Sequence, residues 1–304
     1  MATSPPVAAR RAAVLGHPIA HSLSPTLHHA AYHQLGLTGW TYGLQDVTAE
    51  QLPAVVRGLD ASWAGLSLTM PLKQTVLGLL DHVDPLAEVT GAANTLVVQP
   101  GRGGAAGPLV GFNTDVAGIV EALREAMPGG TWRPRTAAVL GARATASSAL
   151  AALGELGVRT TSLVARRVGG PGSALVAAHR MGVSVDHRPW TSAETAADAL
   201  LPAPPDVLVS TVPAGVADEI ADLLAARLRP GDLTGRLLLD VVYHPSPTPL
   251  ARAWGELGGS VAPGWAMLLH QAVGQVRLFT GRSPDVEVMR AALHAELRRR
   301  GTVD

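Results

Sequence analysis

The sequence predicts an α/β protein made of two α/β units in series and closed by two helices. Three features predict it. Short β-branched runs alternate with alanine-rich helical segments, as in parallel strands joined by helices. The alternation begins near Ala12 and restarts near Thr136. From Gly264 onward the apolar spacing changes to about 3.6, the period of amphipathic helices.

In order, "AAVLG" at Ala12–Gly16 reads as a strand and a helix follows from about Pro25 to Leu35. Pro25 suits a first helical turn, with Ser24 as its cap. "WTYGLQ" is a strand, "AEQLPAVVRGL" a helix and "WAGLSLT" a strand. In the second unit, "TAAVLGARATASSALAALGELG" is strand, tight turn and helix, and "RTTSLVARR" is the next strand. "DVLVSTVP" and "RLLLDVVY" are two more strands. "GWAMLLHQAVGQVRLFTG" and "DVEVMRAALHAELRRR" are the closing helices, free to pack back on the first unit. Gly101–Gly107 and Gly169–Gly172 read as flexible connections within units.

The 304 residues are 47% hydrophobic but only 4% aromatic, so Ala, Val and Leu must fill the core. Basic and acidic side chains balance at 24 each, which gives no footprint for nucleic acid or an anionic membrane. The "RRR" run at Arg298–Arg300 reads as a solvated helix end. With no cysteine there are no disulfides, thiolate zinc sites or cysteine nucleophiles, which fits a reducing cytoplasm. "MATSPPVAARRAAVLG" is a poor signal peptide. Arg143 and the cluster Pro202, Pro204 and Pro205 break the most apolar windows, so no membrane span is expected. His29 and His33 stand four apart on a helix without an evident third ligand, so no metal site is expected.

Lys73, in "SLTMPLKQT", is the only lysine among the 24 basic residues other than histidine; asparagine occurs only at Asn94 and Asn113. Codon drift in a G+C-rich genome would erode both residue types, so three survivors in a short stretch point to a shared site. Gly141 follows an apolar strand and opens a helix, where a dinucleotide-binding turn belongs. "GARATA" supplies only the first glycine of that turn. Arg143 either reaches a phosphate or crowds the turn, and Ala144 adopts positive φ less cheaply than glycine. Arg166 and Arg167, at the end of the next strand, suit a 2′-phosphate or are simply solvated. Ser22 and Ser24 could bind a carboxylate or a polyol.

The stretches "GHPIAHSLSPTLHHAAY", "SLTMPLK", "GAANTL", "GFNTDVAG", "STVP", "DVVYHPSPTPL" and "GWAMLLHQA" resemble the shikimate dehydrogenase family in order and spacing, over nearly the whole chain. The resemblance implies a substrate domain at 1–112, a Rossmann-type NADP domain at 113–263, and helices at 264–304 returning to the substrate domain. It also implies that Ser22 and Ser24 hold the substrate carboxylate. Thr69, Asn94 and Gln271 would bind ring hydroxyls, Tyr243 would line the pocket, and Lys73 and Asp115 would be the catalytic pair. For NADP, Gly141, Ala142, Arg143, Ala144 and Thr145 would wrap the pyrophosphate and Arg166, with Arg167, the 2′-phosphate. Thr211, Gly264 and Met267 would complete the cofactor site. Two departures stand out: Ser67 replaces the family's asparagine, a minor polar change, and the glycine loop is altered.

The expected function is cytoplasmic, NADP-dependent, reversible reduction of 3-dehydroshikimate to shikimate, on the route to chorismate and aromatic amino acids. Lysine can release a proton where arginine cannot, which accounts for the single lysine. A quinate or amino-analogue dehydrogenase, or a non-catalytic shikimate-binding regulator, is the alternative. Shikimate and 3-dehydroshikimate are the expected small-molecule partners of a monomer or homodimer, with neither nucleic acid nor membrane.

Overall fold

The computed structural model describes residues 9–127, 132–170, 172–201 and 203–302. Residues 1–8 of the stretch read as a poor signal peptide, and Pro202 of the proline cluster, lie outside them. The chain divides into two compact units. The first runs to Glu88 and adds Ala92–Thr114 and Ala272–Leu297; the second holds Val89–Gly91, Asp115–Gln271 and the chain from Arg298.

The first unit contains β1 (Arg11–Gly16), α1 (Ser24–Gln34), β2 (Thr41–Asp46), α2 (Leu52–Arg57), β3 (Trp63–Leu68) and α3 (Leu72–Thr75). There follow β4 (His82–Val83), α4 (Pro85–Thr90), β5 (Thr95–Val98) and β6 (Leu109–Phe112). Its sheet has the order β2-β1-β3-β5-β6-β4. β1 pairs in parallel with β2 and β3, but β5 is antiparallel to both β3 and β6. The expectation of parallel strands therefore fails on one side of this sheet. For β5 and β6 the reason is the short link between them, which suits a hairpin and not a crossover. Gly101–Gly107 is that hairpin loop, held by Gln99 N–H to Pro108 O (3.0 Å) and Gly107 N–H to Gln99 O (3.0 Å). β3 is buried at every position, and Leu15, Leu52, Leu66, Leu72 and Leu96 pack in the same core.

The second unit begins with α5 (Asp115–Glu125), then β7 (Thr136–Leu140), α6 (Ala144–Glu155), β8 (Thr160–Ala165), α7 (Ala174–Met181) and β9 (Val185–Pro189). It continues with α8 (Ala193–Leu200), β10 (Val207–Ser210), α9 (Asp218–Arg227), β11 (Leu237–Asp240), α10 (Pro249–Glu256) and β12 (Ser260–Pro263). All its strands are parallel, in the doubly wound order β12-β11-β10-β7-β8-β9. Such a sheet buries both faces. Val139, Leu163, Val209 and Leu239 enter one core, while Leu140, Val164, Leu208 and Leu238 enter another. Alternation along each strand produces this division.

α11 (Gly264–Thr280) passes from the second unit to the first between Gln271 and Ala272, and α12 (Val286–Arg299) follows. Among the described residues, no helix is long and apolar enough to cross a membrane.

Candidate active site

In the first unit, strand direction gathers the candidate residues at one end of the sheet, where β1 and β3 finish. β1 and β3 end side by side, with Leu15 opposite Leu68. The segments after them are joined by His17 N–H to Met70 O (2.9 Å) and Thr69 N–H to Leu15 O (2.9 Å). Gly16 permits this approach, because a Cβ there would lie 2.3 Å from the Thr69 methyl. Antiparallel β5 starts where β3 ends, so Asn94 arrives at the same end, with Leu68 N–H donating to its carbonyl at 2.7 Å. β6 ends opposite Thr95 and delivers Asn113 and Thr114 there. Lys73, half-buried in α3, is tied to this group through its carbonyl, which accepts the Ala93 N–H at 2.8 Å. Thus the lysine and both asparagines, the rare survivors of the composition, meet at one end of the sheet.

Ser22 and Ser24 are buried at the same end, ahead of α1 and in its first turn. The expected cap is not formed. Leu23 occupies the cap position with φ −97° and ψ −2° and no side-chain bond. Instead, the Ser24 N–H donates to Ser22 Oγ at 3.3 Å. Backbone that is already helical at Leu23 leaves the Ser24 hydroxyl to meet Tyr42.

Ser67 is more than a minor polar change. The Tyr42 hydroxyl donates to Ser67 Oγ (2.7 Å), which donates to Gln275 Oε1 (2.8 Å). Gln275 Nε2 donates to the Asn94 carbonyl and to Thr95 Oγ1, both at 3.2 Å. His28 stacks on Tyr42 at 3.8 Å and has Nε2 3.3 Å from Gln275 Oε1. Tyr42, His28 and Gln275 were not legible as site residues. Their only signal is a polar side chain at a position that the surrounding apolar pattern assigns to the core.

Burial pushes the His28 imidazole down to about 3 and holds it neutral, while it raises the Tyr42 hydroxyl. The depressed histidine makes stability depend on pH. An unfolded chain protonates His28 near 6.5 and the folded one only near 3, so stability falls as pH drops through that window. The loss between pH 8 and pH 5 is about 2 kcal/mol. His28→Phe keeps a ring against Tyr42 without titrating. Denaturant titrations at both pH values should show the stability gap between parent and variant shrinking by about that amount in acid. A gap that stays constant would contradict a buried neutral His28.

In the second unit, Gly141, Ala142 and Arg143 form the turn after β7. Gly141 takes φ +104°, and a Cβ there would lie 2.5 Å from Thr211 Oγ1. Thr211 follows β10 and donates through both its N–H (2.9 Å) and its hydroxyl (2.7 Å) to Leu140 O. β7 and β10 are neighbours at which the chain winds in opposite directions, the switch point where ligands of such sheets bind. Ala144 opens α6, with Thr145 next, and no described non-glycine residue has positive φ. The crowding envisaged at Ala144 therefore does not arise. Arg143 is an exposed, extended cap residue without a side-chain capping bond. With that obstacle gone, the motive for a non-catalytic regulator goes too. Arg166 and Arg167 are exposed just past β8, and neither has an ion-pair partner among the described residues.

Asp115, buried at 3% exposure, is the first residue of α5. One turn later, Gly118 lets α5 approach α11: a Cβ there would lie 2.9 Å from both Gln271 Cβ and Met267 O. Gln271 Nε2 donates to Leu268 O at 2.8 Å, and Met267 packs into the core of this unit. Gly264, at the start of α11, lies where a Cβ would be 2.7 Å from Asp240 O. Tyr243 is half-buried in the loop after β11, and burial pushes its hydroxyl up to about 12. Asp240 brackets that loop, accepting from Val242 N–H (3.2 Å) and Thr248 Oγ1 (2.6 Å). Burial raises its carboxyl above the usual range. His29 and His33 are exposed, and no group of three or more potential metal ligands occurs among the described residues.

Residues 14–96 match the model of the shikimate dehydrogenase substrate binding domain, and residues 264–294 that of the shikimate 5'-dehydrogenase C-terminal domain. A shikimate dehydrogenase (NADP(+)) of Rubrobacter xylanophilus is 37% identical over 291 residues, covering 93% of this chain and 95% of that protein. Among solved structures, the shikimate dehydrogenase of Mycobacterium tuberculosis aligns with a TM-score of 0.77 at 40% identity, over 94% of this chain and 99% of that one. The Thermus thermophilus shikimate 5-dehydrogenase, in complex with NADP(H) and shikimate, aligns with a TM-score of 0.73 at 32% identity, over 94% and 99% of the two chains.

Proposed function

The chain belongs to the shikimate dehydrogenase family, and on that premise we propose the residue roles that follow. The protein is an NADP-dependent oxidoreductase that interconverts 3-dehydroshikimate and shikimate, a step toward chorismate and the aromatic amino acids. Bound NADPH supplies the hydride that reduces the ring ketone. The first unit serves as the substrate unit and the second as the nucleotide unit. We propose the domain bounds 1–112 and 113–263, with returning helices at 264–304, whereas the compact units break at Thr114/Asp115 and Gln271/Ala272.

Lys73 delivers a proton to the ketone oxygen as the carbon is reduced, and takes it back in the reverse direction. Asp115 pairs with it functionally and orients a substrate hydroxyl. Ser22 and Ser24 receive the carboxylate, Thr69, Asn94 and Gln271 the ring hydroxyls, and Tyr243 is a further substrate contact. The Gly141–Thr145 turn and the first N–H groups of α6 suit a pyrophosphate. Arg166 and Arg167 suit the 2′-phosphate, and Thr211, Gly264 and Met267 the rest of the nucleotide. The observation that carries this reading is the convergence of the sole lysine, Asn94 and two buried serines at the end of the sheet where β1 and β3 finish and β5 starts. We also propose a cytoplasmic location, which the cysteine-free composition fits, and action as a monomer or homodimer.

The test is NADP-linked turnover by the purified protein, with shikimate, quinate and an amino analogue compared. Shikimate should give the highest kcat/KM; a preference for quinate would reassign the substrate. In the same assay Ser22→Ala should raise the shikimate KM by about 10-fold or more, as expected for losing a bond to a carboxylate. Its NADP KM should not move. An unchanged shikimate KM, with a native melting curve, would remove Ser22 from the carboxylate site.

A further inference from the structure

We propose that Asp240 is a positioning residue that sets where Tyr243 stands when the substrate binds. The proposal rests on the reading of Tyr243 as a substrate contact. Asp240 ends β11, directly after the fully buried Leu237, Leu238 and Leu239. It is itself only 4% exposed, and no basic side chain pairs with it among the described residues. A carboxylate in such a place loses its hydration with no cation to offset the loss. Burial accordingly raises its carboxyl above the usual range. A fourth leucine would suit the core better, so packing does not explain the acid.

Its two bonds do, because they flank Tyr243. Oδ1 accepts the Val242 N–H at 3.2 Å, a side chain bonded to the backbone two residues on, which turns the chain as it leaves the strand. Oδ2 accepts the Thr248 hydroxyl at 2.6 Å. Neither donor has another acceptor among the described residues. Thr248 Oγ1 in turn accepts the Ala251 N–H at 3.1 Å and so caps α10. The carboxylate thus closes residues 242–248 into an arch between the end of β11 and the start of α10. Pro245 and Pro247 bring no N–H to that arch, so its own backbone can do little to hold it. A longer tie, His244 Nδ1 at 3.4 Å from Thr302 Oγ1, joins the arch to the chain beyond α12, after Tyr243.

The root of the arch is held differently. Val241 N–H donates to Ser210 O at 3.1 Å, and a Cβ on Gly264 would lie 2.7 Å from both Asp240 O and Val241 O. Both contacts belong to the backbone and survive a change of the Asp240 side chain. The carboxylate therefore bears on Tyr243 and not on Gly264, which separates an effect on the substrate from one on the nucleotide.

The experiment is a double-mutant cycle read in steady-state kinetics, with melting curves. Asp240→Asn keeps the shape of the side chain but has only one acceptor oxygen for the two donors. It should raise the shikimate KM by about fivefold and leave kcat and the NADP KM within about twofold. In a Tyr243→Ala background the same substitution should change the shikimate KM by no more than about twofold, because the side chain it places is gone. Thr248→Val breaks the second bond from the other side and should raise the shikimate KM by a similar factor. Thr248→Ser keeps the hydroxyl and should stay within about twofold of the parent; this pair also decides the matter if Asp240→Asn fails to fold. An equal KM effect with and without Tyr243, or an unchanged KM in both Asp240→Asn and Thr248→Val, would overturn the proposal and leave Asp240 a brace for α10. An unchanged KM in Tyr243→Ala alone would remove the Tyr243 reading, and this proposal with it.

Discussion

Lys73→Ala should lower kcat for shikimate oxidation by about 10²–10⁴-fold, the scale of a lost general acid–base group. Lys73→Arg should fall nearly as far, and that comparison is the informative one. Arginine keeps the positive charge and much of the reach but remains protonated in proteins, so it can hold an oxyanion yet cannot exchange a proton with it. If the residue acts in the transition state, the loss appears in kcat more than in KM. The variants should fold: Lys73 is half-buried in a short helix, and its backbone carbonyl, which accepts the Ala93 N–H, is kept by any substitution. Melting temperatures within a few degrees of the parent would confirm that the loss is chemical. Parental kcat in Lys73→Arg would reduce the position to an electrostatic one and send the search for the proton donor elsewhere.

Lys73 was legible because it is the single lysine in a chain whose other 23 Lys/Arg-type residues are all arginine. Gly141 was legible because a glycine after an apolar strand and before a helix has few explanations, and the structure gives it φ +104°. The doubly wound unit was legible for the same local reason, since strands and helices alternate at regular lengths. The direction of β5 was not. Its antiparallel pairing with β6 goes with the short β5–β6 link, while neither strand carries a mark of its direction against β3. The polar network was harder still. Gln275 meets Ser67 and His28 across more than two hundred residues, and nothing in "QAVGQVRLF" says that one glutamine faces buried hydroxyls. Ser67 looked like a small loss of polarity because its partners, Tyr42 and Gln275, lie on other elements. The cap assigned to Ser24 failed by one residue, since the helix was already turning at Leu23.

Replacing both Arg166 and Arg167 by serine should weaken NADP binding by about 10–100-fold and move NAD binding by less than about threefold. The parent should bind NADP in the micromolar range and NAD at least about tenfold more weakly, because a 2′-phosphate offers these arginines bonds that a hydroxyl cannot. Each charge-assisted bond is worth about 1.5–3 kcal/mol when desolvated, but both side chains are exposed, so the lower part of that range applies. Solvent exposure adds a second signature: NADP affinity should fall with rising salt more steeply in the parent than in the double variant. Arg143 gives the internal control. It caps α6 beside the pyrophosphate turn, one strand away from the pair, so Arg143→Gly should raise the Kd for NADP and NAD alike. Loss of the NADP preference in the double variant, with its retention in Arg143→Gly, assigns the 2′-phosphate to the end of β8. An NADP-to-NAD ratio unchanged by the double substitution would show that Arg166 and Arg167 are only solvated, and that another group reads the phosphate.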